Sequence, residues 1–234
     1  MCGRVVLTSS PRVLAEMFHL DVLPDLEARY NIPPMSDLPA VVPHPKGDGL
    51  AMRMMRWGLV PSWAKEPGMG ARMINARSET VADKPAFRDA FRRRRCVIPA
   101  DGFYEWQKIE GGKQPYYFHG RDGRPLAFAG LWETWSGPDG QDLETCTILT
   151  TGANRVMRPI HHRMPVILPA KDRELWLALD ADNKEALADL LKPCPDDLLA
   201  LHPVTTRVGS PTFDEPACLD RVEPPVEPGQ LGLF

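Results

Sequence analysis

The apolar residues come in short runs of strand length, and Gly, Pro and Asp repeatedly separate them. The separators are what turn chemistry requires, because each proline lacks an N–H and each turn residue ends the local period. Strands are expected at 1–8, 50–57, 95–99, 102–108, 115–119, 125–132, 144–150 and 201–208. Helices are expected at 11–19, where Val13, Leu14, Met17 and Phe18 fall at helical spacing behind Pro11, and at 83–94, 171–179 and 183–192. The helix at 83–94 ends in Arg92–Arg95, where cations suit the negative end of the dipole. Residues 21–48 are rich in proline and read as an irregular surface segment. Many short strands with few helices give an α+β class: a single compact domain whose mostly antiparallel sheet curls toward a barrel, flanked by helices.

A chain of 234 residues with 43% hydrophobic residues is long enough to bury a sizeable core. The net charge of −3 argues against a generic nucleic-acid coat, but the charge is uneven. Residues 1–165 carry four more cations than anions, and residues 166–234 carry seven more anions than cations. Arg outnumbers Lys 20 to 8, and Arg is the better bidentate phosphate ligand. A basic face on the first two-thirds competes with solvated surface arginines as the explanation. Five separated cysteines with no C-x-x-C suggest neither a disulfide framework nor a zinc site. Ser9, Ser10 and Pro11 interrupt any signal-peptide core, and no run reaches the length of a membrane span. A cytoplasmic protein with reduced thiols and no membrane contact is expected, nucleoid-associated when on DNA. Glycine-rich phosphate loops, metal-spaced histidines and nucleophile elbows are not found, so no cofactor or metal is expected.

Four positions could carry chemistry. Removal of Met1 would make Cys2 the N-terminus, with a thiol and a primary amine on one residue. The α-amine has a reference pKa of roughly 7.7–8, so a useful fraction is free at neutral pH. That pair suits aldehydes: the amine forms an imine and the thiol closes a thiazolidine. A small buried apolar residue is the competing reading of Cys2. Glu105 lies among aromatics in Asp101-Gly102-Phe103-Tyr104-Glu105-Trp106, where partial burial favours proton transfer, although a solvent-facing strand residue would look the same. His161, beside His162, could move a proton or be an ordinary loop histidine. Asn75 could orient a substrate or cap a turn.

Taken together, the motifs resemble the SRAP family, the SOS response-associated peptidases that shield abasic sites. The matching segments are Met1-Cys2-Gly3-Arg4, Arg29-Tyr30-Asn31-Ile32, Trp57 to Trp63, INARSET at 74–80, PADGFYEW at 99–106, GLWETW at 130–135, ILTTGAN at 148–154 and HHRMP at 161–165. Their common order across residues 1–219 is more specific than any one of them. The resemblance implies Cys2 as the cross-linking nucleophile with Asn75, Glu105 and His161 around it. It implies phosphate contacts from Arg4, Arg77 and Arg163 with Thr150 nearby, and an aromatic wedge at Trp63. A core tryptophan is the competing reading of Trp63. Ala64 stands where some members carry a second aromatic, and Gly209-Ser210 departs from the family pattern. The implied partner is single-stranded DNA containing abasic sites, bound through phosphate contacts and stacking.

Three other readings remain open: a glutamine amidotransferase-like N-terminal cysteine hydrolase, a thiol peptidase acting on its own Met1, and a non-catalytic DNA or clamp adaptor. The domain is expected over residues 1–221, with a tail at 222–234. The tail ends in Gln230-Leu231-Gly232-Leu233-Phe234, which resembles the peptides that dock on bacterial sliding clamps. Gln230, Leu231, Leu233 and Phe234 would be the contacts; an apolar terminus folded back on the domain is the competing reading.

Overall fold

The computed structural model describes residues 2–22, 25–45, 49–178 and 183–223. Two sheets enclose most of the core. The first is antiparallel throughout, and its strands β1 (Val5–Leu7), β2 (Arg29–Ile32), β7 (Gly102–Ile109), β8 (Gly112–Gly120) and β12 (Leu199–Pro203) lie in the order β12-β8-β7-β1-β2. The second contains β3 (Asp37–Pro43), β4 (Leu50–Trp57), β6 (Arg95–Ala100), β9 (Leu126–Ser136) and β10 (Asp142–Gly152). β10 pairs with both β4 and β9, while β4–β3–β6–β9 pair in series, so these five strands close into a barrel. Closure removes the exposed edges that an open sheet of this length would leave. The expected α+β class with a mostly antiparallel, barrel-like sheet is therefore present; β10 supplies the parallel pairings, to β4 and to β5 (Asn75–Arg77).

The helices are short. α1 (Pro11–Phe18) starts at Ser10, whose hydroxyl accepts the Val13 N–H, with Pro11 in the first turn where a missing N–H costs nothing. It ends at His19 in the left-handed conformation and buries Leu14, Ala15 and Phe18. α2 (Arg88–Arg93) is the remnant of the expected 83–94 helix; residues 80–87 form turns instead. α3 (Ala170–Ala178) and α4 (Lys184–Leu190) match their expectations within two residues.

Three expectations need correction. Residues 21–48 are not irregular throughout, since β2 and β3 lie inside them. β3 pairs along its length with β4 but meets β6 only at Val41↔Val97, an edge-like ladder that tolerates Pro39 and Pro43. The strand expected at 201–208 ends at Pro203, and a 3-10 turn occupies Thr206–Gly209. The two three-residue strands β5 and β11 (Arg163–Pro165) were not expected at all. The largest core cluster joins both sheets: Cys2, Leu14, Trp57, Phe103, Phe118, Phe128, Ile148 and Met164 are among its members. Among the described residues no helix is long and apolar enough to cross a membrane. The tail residues Gln230, Leu231, Leu233 and Phe234 lie outside the described residues.

Candidate functional site

Cys2 is fully buried just ahead of β1. β1 pairs with β7 through Val5↔Phe103, and the Tyr104 N–H donates to the Arg4 carbonyl at 3.0 Å. Continued outward, that register brings the N-terminal residues alongside Glu105, which is itself buried in β7. Burial pushes the Cys2 thiol well above its usual range; the negative charge of Glu105 adds to this, while the Arg4 backbone N–H pulls the other way.

Asn75 approaches from the barrel side. Its side-chain N–H donates to the Cys2 carbonyl at 2.7 Å, and its Oδ1 is buried with no hydrogen-bond partner among the described residues. An acceptor so placed is available to a ligand donor. Trp57 fixes the approach, because its indole N–H donates to the Ile74 carbonyl at 2.8 Å.

β10 gathers the next group. Parallel pairing sets Asn75, Ala76 and Arg77 beside Ile148, Leu149 and Thr150, and antiparallel pairing sets Thr150 opposite Pro165 and Gly152 opposite Arg163. Arg77 is exposed. Arg163 is not free: its Nη2 donates to the Thr150 carbonyl at 2.5 Å and to Thr150 Oγ1 at 3.2 Å, and its guanidinium holds Glu79 in a bidentate ion pair. Glu79 was missed by the sequence reading, although it lies inside the INARSET segment two residues beyond Arg77.

His161 sits half-buried just before β11 and stacks on His162, with ring centroids 4.5 Å apart. The Arg163 amide N–H donates to His161 Nδ1 at 3.0 Å, and the Arg163 carbonyl lies 3.0 Å from the same nitrogen. The amide N–H suits a bare Nδ1 and the carbonyl a protonated one, so the two contacts accommodate either neutral tautomer of His161. The exposed His162 has its pKa lowered, chiefly by the neighbouring charge of His161.

The side chains of the remaining two candidates are exposed or engaged elsewhere. Trp63 is 56% exposed, so the core reading of this tryptophan does not hold. Arg4 is half-buried, and three of its donor contacts are taken: Nη1 donates to Asn31 Oδ1 at 2.8 Å and the Val208 carbonyl at 3.0 Å, and Nη2 to the Gly209 carbonyl at 3.0 Å. The Asn31 amide in turn donates to the Val208, Ser210 and Phe213 carbonyls. Positions 209 and 210 therefore contribute backbone carbonyls, which explains why a departure there in side chain is tolerated. Among the described residues no group of His, Cys, Asp and Glu is placed to hold a metal ion.

The family model for SOS response associated peptidase (SRAP) matches residues 1–211. The chain belongs to the SRAP family. Abasic site processing protein YoqW of Bacillus subtilis is 39% identical over 226 residues, covering 94% of this chain and 99% of that protein. Abasic site processing protein HMCES of Gallus gallus is 39% identical over 194 residues, covering 72% of this chain and 57% of that protein. A crystal structure of a Bacteroides thetaiotaomicron protein superposes with a TM-score of 0.83 at 25% identity, covering 95% of this chain and all of that one. This SRAP chain thus carries the family's motifs on a fold already observed by crystallography.

Proposed function

We propose that this SRAP protein processes abasic sites by bonding covalently to them through Cys2 in single-stranded DNA. The observation that carries the reading is the enclosure of Cys2: its carbonyl is held by Asn75, and its thiol lies in the field of Glu105. The printed names of its relatives, abasic site processing proteins, point to the same substrate.

Hydrolysis of the Met1–Cys2 peptide bond frees the Cys2 amine. The ring-opened deoxyribose presents a C1′ aldehyde, which the amine attacks to give a carbinolamine. Loss of water gives the imine. The thiol then adds across the C=N bond: sulfur bonds to carbon, its proton passes to nitrogen, and a thiazolidine closes with one water released overall. Glu105 moves protons in the hydrolysis and in ring opening, and His161 assists imine formation or β-elimination of the 3′ phosphate. Asn75 holds Cys2 and the sugar together. Arg4, Arg77 and Arg163 contact phosphate, with the buried Thr150 nearby on Arg163, and Trp63 stacks on or wedges beside a base.

Incubation with abasic single-stranded DNA followed by a denaturing gel tests the reading. Wild type should give a heat-stable adduct and Cys2→Ala none, while Cys2→Ser should leave only a labile imine that borohydride traps. Glu105→Gln should slow cross-linking by about 10²–10⁴-fold, the usual contribution of a general acid–base group, before it weakens binding. A heat-stable adduct with Cys2→Ala would overturn the assignment. No adduct with wild type would favour an N-terminal-cysteine hydrolase or an adaptor.

The domain at 1–221 bears a tail at 222–234 whose Gln230, Leu231, Leu233 and Phe234 dock on a sliding clamp. The motif carries this reading, and a few buried apolar anchors would supply most of the affinity. Titration against a bacterial clamp should give roughly micromolar binding, about −8 kcal/mol. Deleting residues 230–234 should abolish it and leave cross-linking intact.

A further inference from the structure

Arg163, one of the three arginines in the proposed phosphate set, is largely enclosed by its own neighbours. Its side chain is only 13% exposed, whereas that of Glu79, its ion-pair partner, is 53% exposed. Nη2 is fixed to Thr150 on one side, and Nε is buried with no hydrogen-bond partner among the described residues. Both terminal nitrogens face the two oxygens of Glu79. The solvent-facing side of the pair is thus the carboxylate, and a phosphate cannot meet the guanidinium fork while Glu79 holds it. Arg163, helped by the Ser78 hydroxyl, keeps Glu79 below the usual carboxylate range, so it is an anion at neutral pH.

We propose that Glu79 is a resident competitor for phosphate on Arg163, and that DNA engages Arg163 only by exchanging carboxylate for phosphate. The inference rests on the DNA-binding reading above. An intramolecular carboxylate acts at high effective concentration, so a lone anion displaces it poorly. A strand held at the same time by Arg77 and a stacked base can complete the exchange. Glu79 thereby biases the site toward polynucleotides over free phosphates and mononucleotides. The carboxylate geometry also keeps Arg163 pointed at the place a phosphate oxygen would occupy, since both are planar or forked acceptors for the same pair of N–H groups.

The test is binding of an undamaged fluorescent single-stranded oligonucleotide to Glu79→Gln, Glu79→Ala and wild type, with Cys2→Ala in every background to exclude cross-linking. Competition predicts that both variants bind about two- to fivefold more tightly at low salt, the scale of a partly exposed ion pair. It also predicts a salt slope steeper by up to about 0.7, one more phosphate neutralised on a single strand. The gain should vanish when Arg163→Ala is added, and inorganic phosphate should compete better against the variants than against wild type. Unchanged or weaker binding by both folded variants, judged by thermal melting, would mean that Glu79 only orients Arg163 and would overturn the inference. Absence of binding by every protein would instead remove the DNA-binding reading and this inference with it.

Discussion

The side chain of Asn75 donates a hydrogen bond to the backbone carbonyl of Cys2 at 2.7 Å, which ties the N-terminal residue to the barrel wall. The bond fixes the peptide and leaves the thiol and the prospective amine uninvolved. Asn75→Ala should therefore slow cross-linking while leaving DNA affinity nearly intact. The net worth of such a bond is about 1 kcal/mol, or roughly fivefold, and the loss of a sugar contact would add to it. Single-turnover cross-linking alongside oligonucleotide binding checks the split. A parallel fall in both would show that Asn75 supports the fold and has no positioning role.

The raised Cys2 thiol sets the pH dependence. A raised acid pKa means that the neutral thiol is favoured, so thiolate does not accumulate across roughly pH 6 to 9. The cross-linking rate should then rise with deprotonation of the amine and level off above its pKa, with no second rise near the usual thiol range. Glu105→Gln removes a charge that raises the thiol, so the thiol pKa should fall and alkylation by iodoacetamide should quicken at a given pH. Cross-linking by the same variant should slow. If both rates moved in one direction, Glu105 would be acting through the thiol alone and not as a proton carrier.

Trp63 and Trp57 separate affinity from stability. Trp63 is 56% exposed, whereas Trp57 is fully buried and hydrogen-bonded to the Ile74 carbonyl. Trp63→Ala should leave Tm unchanged and weaken single-stranded DNA binding by roughly 1–3 kcal/mol, about 5- to 150-fold. Trp57→Ala should cost about 3–5 kcal/mol of stability from the cavity it leaves. Calorimetry and a fluorescence titration on the two variants would expose a misassignment of either tryptophan.

The long strands were legible because alternation and turn residues are local signals: β4 was bounded correctly at 50–57, and β6 to within one residue. β5 and β11 were not, because three residues are too few to display a period. Those two strands exist through pairing with β10, distant in sequence for β5 and nearby for β11, and they carry Asn75, Arg77 and Arg163. The candidate site residues and their grouping around Cys2 were therefore expected from single residues and motifs, while the strands and hydrogen bonds that hold them came only from the structure. Glu79 escaped for a similar reason, since an exposed acidic residue in a turn announces no partner 84 positions away. β3 was hidden by Pro39 and Pro43, which argue locally against a strand and are tolerated here because β6 makes so little ladder with it.

Gly58 and Gly70 set how closely the segment leading to Asn75 can approach the barrel. Gly58 has φ of 139°, and a Cβ there would lie 2.7 Å from the Gly70 carbonyl oxygen. A Cβ on Gly70 would lie 2.4 Å from the Gly58 carbonyl oxygen. Both obstacles are backbone atoms, so no rotamer change relieves them. The Gly58 N–H donates to the Cys146 carbonyl at 2.8 Å and the Leu59 N–H to the Met73 carbonyl at 3.2 Å, so a shift at the contact propagates toward Ile74 and Asn75. Gly70→Ala should cost about 1–3 kcal/mol, the usual range for overpacking. At about 2–4 °C per kcal/mol for a domain of this size, the loss is readily seen by calorimetry. Cross-linking should slow as well, measured well below the lowered Tm so that unfolding does not contribute. Gly68→Ala is the control, because a Cβ there meets nothing within 4 Å. It should change stability by no more than about 0.5 kcal/mol. Indistinguishable melting and cross-linking for Gly68→Ala and Gly70→Ala would mean that the close approach of Gly58 and Gly70 does not position Asn75.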